Sequence, residues 1–379
     1  MRIVLDYRPA LRERTGVGEY VHGMASALRA QLDPDDSLAL FSSSLRDRLN
    51  PAVVPGASIV DARVPVRVLN YAWHRLGWPP IEVFAGPTDV VHAAHPLLIP
   101  SRSAVGAITV HDLDFLDHPE RTRAEIRRDY PTLVPSHARR ADLVVVNSRY
   151  TAAQVKGRLD VPADRIVVCR PGAPGVARRN EPGGLGPILF IGTIEPRKNL
   201  EVLFRAYARV LTGRPHVPEL VLAGGTVEQS AAILRNLNDA PLAGRVRHVG
   251  YVNEPERRRW LEQASMLVIP SLEEGFGLPA LEAMTMGVPV IASRRGALPE
   301  VVGDAGTLVD ALDDVAFAAA IDALLADPER RRMHADAGVA RAREFSWDEG
   351  AARLLAAYRS ALEHKRGVRP AEHRLGAKL

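Results

Sequence analysis

Apolar positions along the chain alternate between two rhythms. Short continuous runs, such as Ile3-Val4-Leu5, Leu143-Val144-Val145-Val146 and Ile188-Leu189-Phe190-Ile191, read as strands buried on both faces. Between them, apolar residues recur three and four apart. Val17, Tyr20, Val21, Met24 and Leu28 are one such set, and they predict an amphipathic helix over 16–30. In the first half, strands are predicted at 3–6, 38–42, 58–61, 89–92, 105–111, 143–147 and 165–170, with further helices at 122–141 and 150–159. The rhythm breaks at Pro171-Gly172-Ala173-Pro174-Gly175 and again over 181–187, where proline and glycine crowd together as in a linker. It restarts with strands at 188–192, 219–223, 246–250, 266–270, 289–292 and 307–309, alternating with helices at 200–211, 255–263 and 279–286. From 313 to about 364 the pattern is helical, and a polar tail follows. Such alternation predicts an α/β protein with two doubly wound, Rossmann-like domains facing each other across a cleft, at 1–175 and 187–345. Residues 346–379 form a separate terminal helix and tail.

Composition narrows the classes. A chain of 379 residues with 46% hydrophobic and 25% charged residues suits two globular domains and excludes wholesale disorder. Its single cysteine, Cys169, excludes an intrachain disulfide framework. No apolar run approaches the ~18 residues of a membrane-spanning helix, and the start of the chain lacks the pattern of a signal peptide. A cytoplasmic protein is expected, with the inner face of the membrane as an open alternative. The net charge of +4 permits anionic ligands without calling for nucleic acid. Basic residues are nearly all arginine; lysine occurs only at 156, 198, 365 and 378, so Lys198 stands out.

Four segments carry candidate chemistry. In Pro270 to Met284 a strand end runs into a helix. Gly275 and Gly277 let backbone N–H groups approach a ligand, and the helix start offers partial positive charge to an anion. Glu274 is placed to accept hydrogen bonds from hydroxyls, and Glu282, one turn into the helix, can face the same cleft. The plain alternative is two solvated acids. In Gly192-Thr193-Ile194-Glu195-Pro196-Arg197-Lys198-Asn199, two cations at a strand end can neutralise a diphosphate, unless they are merely a solvated helix start. Gly16 and Gly18 open a helix where backbone amides can meet a phosphate, or simply make a turn. His111 ends a buried strand in Val110-His111-Asp112-Leu113-Asp114 and would point into the cleft, although a core or capping histidine is the plainer reading. Gly224 ends a strand and borders the same cleft. His92, His95 and His111 match no zinc spacing. The basic stretch with Arg127, Arg128, Tyr130, Arg139 and Arg140 reads as a solvated face, the alternative being contact with anionic lipid headgroups or a phosphorylated acceptor.

The Pro270–Met284 stretch, with seven residues between Glu274 and Glu282, and the following Gly287-Val288-Pro289-Val290-Ile291-Ala292-Ser293 closely resemble the paired-glutamate signature of retaining GT-B glycosyltransferases. Together with the Arg197-Lys198 segment they make the chain similar to glycosyltransferase family 4 over nearly its whole length. Many members carry an arginine directly after the strand-end glycine. Here that position is Thr193, so Arg197 is expected to supply the charge. The resemblance implies transfer of a sugar from a nucleotide-diphosphate donor with retention of configuration. Arg197 and Lys198 would hold the diphosphate, Glu274 and the backbone of Gly275, Phe276, Gly277 and Leu278 the sugar, and Glu282 the ribose. Gly16, Gly18, Gly192 and Gly224 would border the donor, and His111 would bond a sugar hydroxyl. The leaving phosphate would serve as base, without a cofactor. The two-aspartate pattern Asp112-Leu113-Asp114 would bind a metal in the other glycosyltransferase fold, a role rejected here because two full units are present. The resemblance also implies that the last helix, with Phe345, Trp347, Leu354, Leu355 and Tyr358, crosses back to the first domain. Its wording around 192–199 looks like a mannosyltransferase-rich bacterial branch, so GDP-mannose is the first expectation for the donor, with a saccharide or lipid-linked acceptor and a place in surface polysaccharide or glycolipid synthesis. A sugar-nucleotide epimerase and a non-catalytic nucleotide-sugar binder are the competing readings.

Overall fold

A computed structural model describes residues 1–367 other than 13, 15, 123, 181, 182 and 215. Glu181-Pro182 and the polar tail after Gly367, which figure in the expectations above, lie outside the described residues.

The first sheet contains β1 (Arg2–Asp6), β2 (Ser37–Ser42), β3 (Ser58–Asp61), β4 (Val90–Ala93), β5 (Val105–Val110), β6 (Leu143–Val146) and β7 (Ile166–Val168) in the order β3-β2-β1-β4-β5-β6-β7. The second contains β8 (Ile188–Ile191), β9 (Leu220–Ala223), β10 (Val246–Gly250), β11 (Met266–Ile269), β12 (Val290–Ser293) and β13 (Thr307–Val309) in the order β10-β9-β8-β11-β12-β13. Every recorded pairing is parallel, with Ile3 opposite both Leu38 and Val90, and Leu189 opposite both Val221 and Leu267. Successive strand residues point to opposite faces. Ile3 and Leu5 therefore enter one core and Val4 the other, while Ile188 and Phe190 are separated in the same way from Leu189 and Ile191. Each sheet is covered on both sides, which is why its strands are unbroken apolar runs. These are the two doubly wound domains expected of a GT-B fold.

Two details add to the sequence expectations. The stretch from 313 to 364 is three helices, Asp314–Ala326, Pro328–Ala342 and Trp347–Gly367. Asp327 separates the first two: its side chain accepts the N–H of Arg330 while Pro328 takes the first turn, where its missing donor costs nothing. The second, where the sequence reading assigns no element, is a short helix, Val66–Tyr71, running into a wide turn over Ala72–Leu76. Its apolar residues lie on several sides and hide the helical period.

The chain crosses between the domains twice. The outgoing crossing after β7 meets the return at Phe345, where Ala173 N–H donates to the Phe345 carbonyl at 3.0 Å. The Trp347–Gly367 helix then packs on the Gly16–Gln31 helix and places Leu354, Leu355 and Tyr358 in the core of the first domain.

Candidate active site

In each sheet the strand order reverses once, between β1 and β4 and between β8 and β11. Ligands of such sheets bind beyond the carboxyl ends of the strands at that reversal. In the second domain it is built by the segments after β8 and after β11. Pro196–Lys198 forms one tight turn, and Asn199 closes it in a left-handed conformation, φ 56°. The Asn199 amide bonds the carbonyls of Pro270 at 3.0 Å and Ala311 at 2.7 Å. Leu272 N–H returns a bond to the Arg197 carbonyl at 2.8 Å. The two segments are thereby stitched together, and their side chains converge.

Lys198 Nζ lies 2.5 Å from Glu274 Oε1, and both residues are 7% exposed. Ser271 Oγ donates to the same oxygen at 2.8 Å. Arg197 Nη1 stands 3.9 Å from Glu274 Oε2, donates to the Glu273 carbonyl at 3.3 Å, and its Nε pairs with Glu195 at 2.6 Å. Burial would raise the Glu274 pKa, but Lys198 and Arg197 outweigh it and hold the carboxyl below its ordinary range. Burial would likewise lower Arg197, yet Glu195, Asp112, Glu274 and Asp114 keep it more firmly protonated than an ordinary arginine. The cluster thus holds fixed cations beside a fixed anion in one buried place.

Gly277 caps the Leu278–Thr285 helix with φ 102°, a conformation only glycine adopts without strain. The first N–H groups of that helix have no carbonyl a turn behind them. Phe276 turns away: it is 3% exposed and packs edge-on against Phe345 at 5.8 Å, so only its backbone can serve a ligand. Gly224 is a close-approach position, since a Cβ there would strike the Gly192 carbonyl.

The first domain meets this cluster directly. A Cβ on Gly275 would strike the His111 carbonyl, and Thr151 Oγ1 lies 3.3 Å from the carbonyls of both. His111 is half-buried, with Nε2 3.3 Å from the Ala94 carbonyl and its ring edge-on to Tyr20 at 5.3 Å. Burial lowers its pKa and favours the neutral ring. A Cβ on Gly18 would come within 2.8 Å of the Pro9 carbonyl, while Gly16 faces open space. From the second domain, Arg257 bridges Glu282 at 2.9 Å and Glu19 of the first helix at 3.1 Å. Burial, helped by Glu19 and Glu254, outweighs Arg257 and pushes Glu282 up to about 7.

A cleft of about 360 Å³ opens between the domains, lined among others by Asp114, Arg121, Tyr150, Arg158, Glu273 and Arg295. Tyr150 donates to Glu273 at 3.0 Å, and burial raises Glu273 to about 7. Asp114 Oδ2 is buried without a hydrogen-bond partner among the described residues. Sequence reasoning missed Arg257, Glu19, Ser271, Tyr150 and Glu273. Only Glu273, next to Glu274, carried a local signal; Arg257 is one of three consecutive arginines on a polar helix. The three histidines stand near enough to bear on one another's charge, but among the described residues they form no group that could hold a metal ion. His92 is held by Tyr358 and Thr109, His95 by Asp6 and Arg8, and His111 by Ala94.

Residues 187–327 match the family described as Glycosyl transferases group 1, and residues 14–174 the one described as Glycosyltransferase Family 4. An O-antigen chain mannosyltransferase B of Escherichia coli is 28% identical, with 95% of this chain and 100% of the relative covered. A D-inositol 3-phosphate glycosyltransferase 2 of Catenulispora acidiphila is 30% identical, with 78% and 70% covered. Among solved structures, sucrose-phosphate synthase from Thermosynechococcus elongatus superposes with a TM-score of 0.78 at 21% identity, covering 96% of this chain and 100% of that one. Anabaena HepE in complex with UDP and glucose gives 0.70 at 16% identity, covering 95% and 100%. Both structural likenesses concern the fold.

Proposed function

The chain belongs to the group 1 and family 4 glycosyltransferases, and from that membership we propose that it moves a hexose, mannose before others, from a nucleotide-diphosphate sugar to an acceptor hydroxyl with retention of configuration. The observation that carries the donor side is the buried Lys198–Glu274 contact at 2.5 Å, flanked by Arg197 and a glycine-started helix at the strand-order reversal. Breaking the anomeric bond places negative charge on the leaving diphosphate. Arg197, Lys198 and the helix-start amides stabilise it where it develops. Glu274, kept ionised by the two cations, accepts hydrogen bonds from sugar hydroxyls. Glu282 accepts those of the ribose, and neutral His111 bonds a hydroxyl near the anomeric carbon. The leaving phosphate takes the acceptor proton, and no metal or cofactor enters. The acceptor saccharide, free or lipid-linked, approaches through the 360 Å³ cleft, whose mixed carboxylates and guanidinium groups suit polyhydroxylated ligands. Mannose rests on the resemblance and on the likeness to the E. coli O-antigen mannosyltransferase, which also suggests a place in bacterial surface polysaccharide synthesis.

The test is a thermal-shift panel of nucleoside diphosphates, followed by turnover of the matching sugar donors. Glu274→Gln is expected to lower turnover by about two to three orders of magnitude. Lys198→Ala should lose turnover as well as about 3–5 kcal/mol of stability, because it strands a buried carboxylate. The double variant Lys198→Ala/Glu274→Ala should regain part of the stability but none of the turnover. Full turnover in Glu274→Gln, or stabilisation by no nucleotide, refutes the proposal. Donor conversion without any acceptor would favour the epimerase instead.

A further inference from the structure

The helix and turn over Val66–Leu76 have two unlike sides. The inner side closes the reversal point of the first sheet. Leu69 and Trp73 are each 2% exposed, and Asn70 accepts a hydrogen bond from Arg8, just past β1, at 2.8 Å. The outer side is apolar and uncovered. Val68, Tyr71, Leu76 and, beyond the Gly77 turn, Trp78 are 59%, 63%, 65% and 65% exposed. Arg67 and Arg75 are interleaved with them and exposed. The nearby acids are engaged: Asp129 by Arg75 at 3.2 Å and Arg128 at 2.7 Å, and Glu82 by the N–H of Arg102 at 3.0 Å. The same Asp129 ties the segment to the basic Ala124–Arg140 helix.

We propose that this outer face docks on the surface of an anionic lipid bilayer. Exposed tryptophan and tyrosine beside aliphatic side chains suit the headgroup boundary, where an apolar body is covered and a polar tip stays wet. Interleaved arginines supply the charge that lipid phosphates complement. A second copy of the chain fits worse. A two-fold contact sets each patch against itself, so that four arginines would share one small interface, and four apolar side chains a side are few for a stable dimer. Docking here would lay the bilayer beside the strand-order reversal of the first sheet, since the inner side of the same segment seats on Arg8 after β1 and on the residues after β4. His74 of the turn stands edge-on to His95 at 5.7 Å. A lipid-linked acceptor would then be presented to the cleft from the membrane side. That last step rests on the transferase reading; the lipid contact does not.

The test is flotation of the full chain with vesicles of phosphatidylcholine alone and of phosphatidylcholine mixed with phosphatidylglycerol. Salt-sensitive binding to the mixed vesicles is expected. Tyr71→Ser/Trp78→Ser should weaken it by about tenfold or more, and Arg67→Gln/Arg75→Gln by roughly fivefold per arginine. Circular dichroism and stabilisation by nucleoside diphosphates should be unchanged in all of them. The proposal is overturned if the parent ignores anionic vesicles, if the variants float as the parent does, or if sedimentation shows a dimer that Trp78→Ser dissolves. Vesicle binding without any nucleotide response would refute the transferase reading and leave the docking surface standing; the reverse pattern would refute the docking surface alone.

Discussion

Glu282 is held between opposing influences, and its proton is the one nucleotide binding should move. Burial and the neighbouring acids raise its pKa from 4.5 to about 7 despite the Arg257 contact at 2.9 Å. A ribose diol donates hydrogen bonds, so it favours the ionised carboxylate, and binding drives the proton off. Nucleotide affinity should therefore fall as pH drops below about 7, approaching tenfold per unit, and level off above it. Calorimetry in buffers of different ionisation enthalpy should show proton release near neutrality, and Glu282→Gln should abolish both the slope and the release. An affinity independent of pH from 5.5 to 8 would mean that Glu282 does not meet the ribose. Glu274, a few residues away, behaves oppositely because two cations face it rather than one.

At the scale of elements, the segment Gly275–Gly277 joins three tasks: it ends the loop after β11, starts the Leu278–Thr285 helix, and touches the first domain. Gly277 is required by its φ of 102°. Gly275 is required by the His111 carbonyl, which leaves no room for a methyl group. Gly275→Ala should thus leave each domain folded but hold the cleft open, displacing donor site from His111 by about the width of that group. A roughly hundredfold loss of turnover is expected from such a misplacement, with the nucleotide still stabilising the protein. Small-angle scattering should report a larger radius of gyration than for the parent. Unchanged scattering together with unchanged turnover would show that the two segments need not meet.

For the molecule as a whole, the last helix belongs to the first domain although it follows the second. Ala351, Leu354, Leu355 and Tyr358 are at most 4% exposed, and Tyr358 OH is 2.5 Å from His92 Nδ1. The core of the first domain is therefore incomplete without this helix, and the two crossings between the domains are joined at Ala173 and Phe345. Tyr358→Ala should cost about 3–5 kcal/mol, read as an earlier unfolding transition assigned to the first domain. The second domain's transition should stay in place, as should its stabilisation by nucleotide. A single transition shifted as a unit would instead mean that the domains unfold together.

The parallel strands and the carboxyl-end positions of Arg197, Lys198 and Glu274 were legible in the sequence, because strand burial, turn chemistry and helix starts depend on residues adjacent in the chain. Glu274 and Lys198 were each readable as candidates, but their contact was not, since it depends on β8 and β11 lying side by side. The same holds for Arg257, which spans from Glu282 to Glu19, and for Glu273, whose pKa burial raises although Tyr150 of the other domain donates to it. The exposed face at Tyr71 and Trp78 also escaped notice, because composition does not tell which of several apolar residues a helix turns inward. Local sequence decided which groups stand at strand ends. Only tertiary packing, of strand beside strand within a sheet and of one domain against the other, decided which of those groups share water-poor space, and with it their charge and their partners.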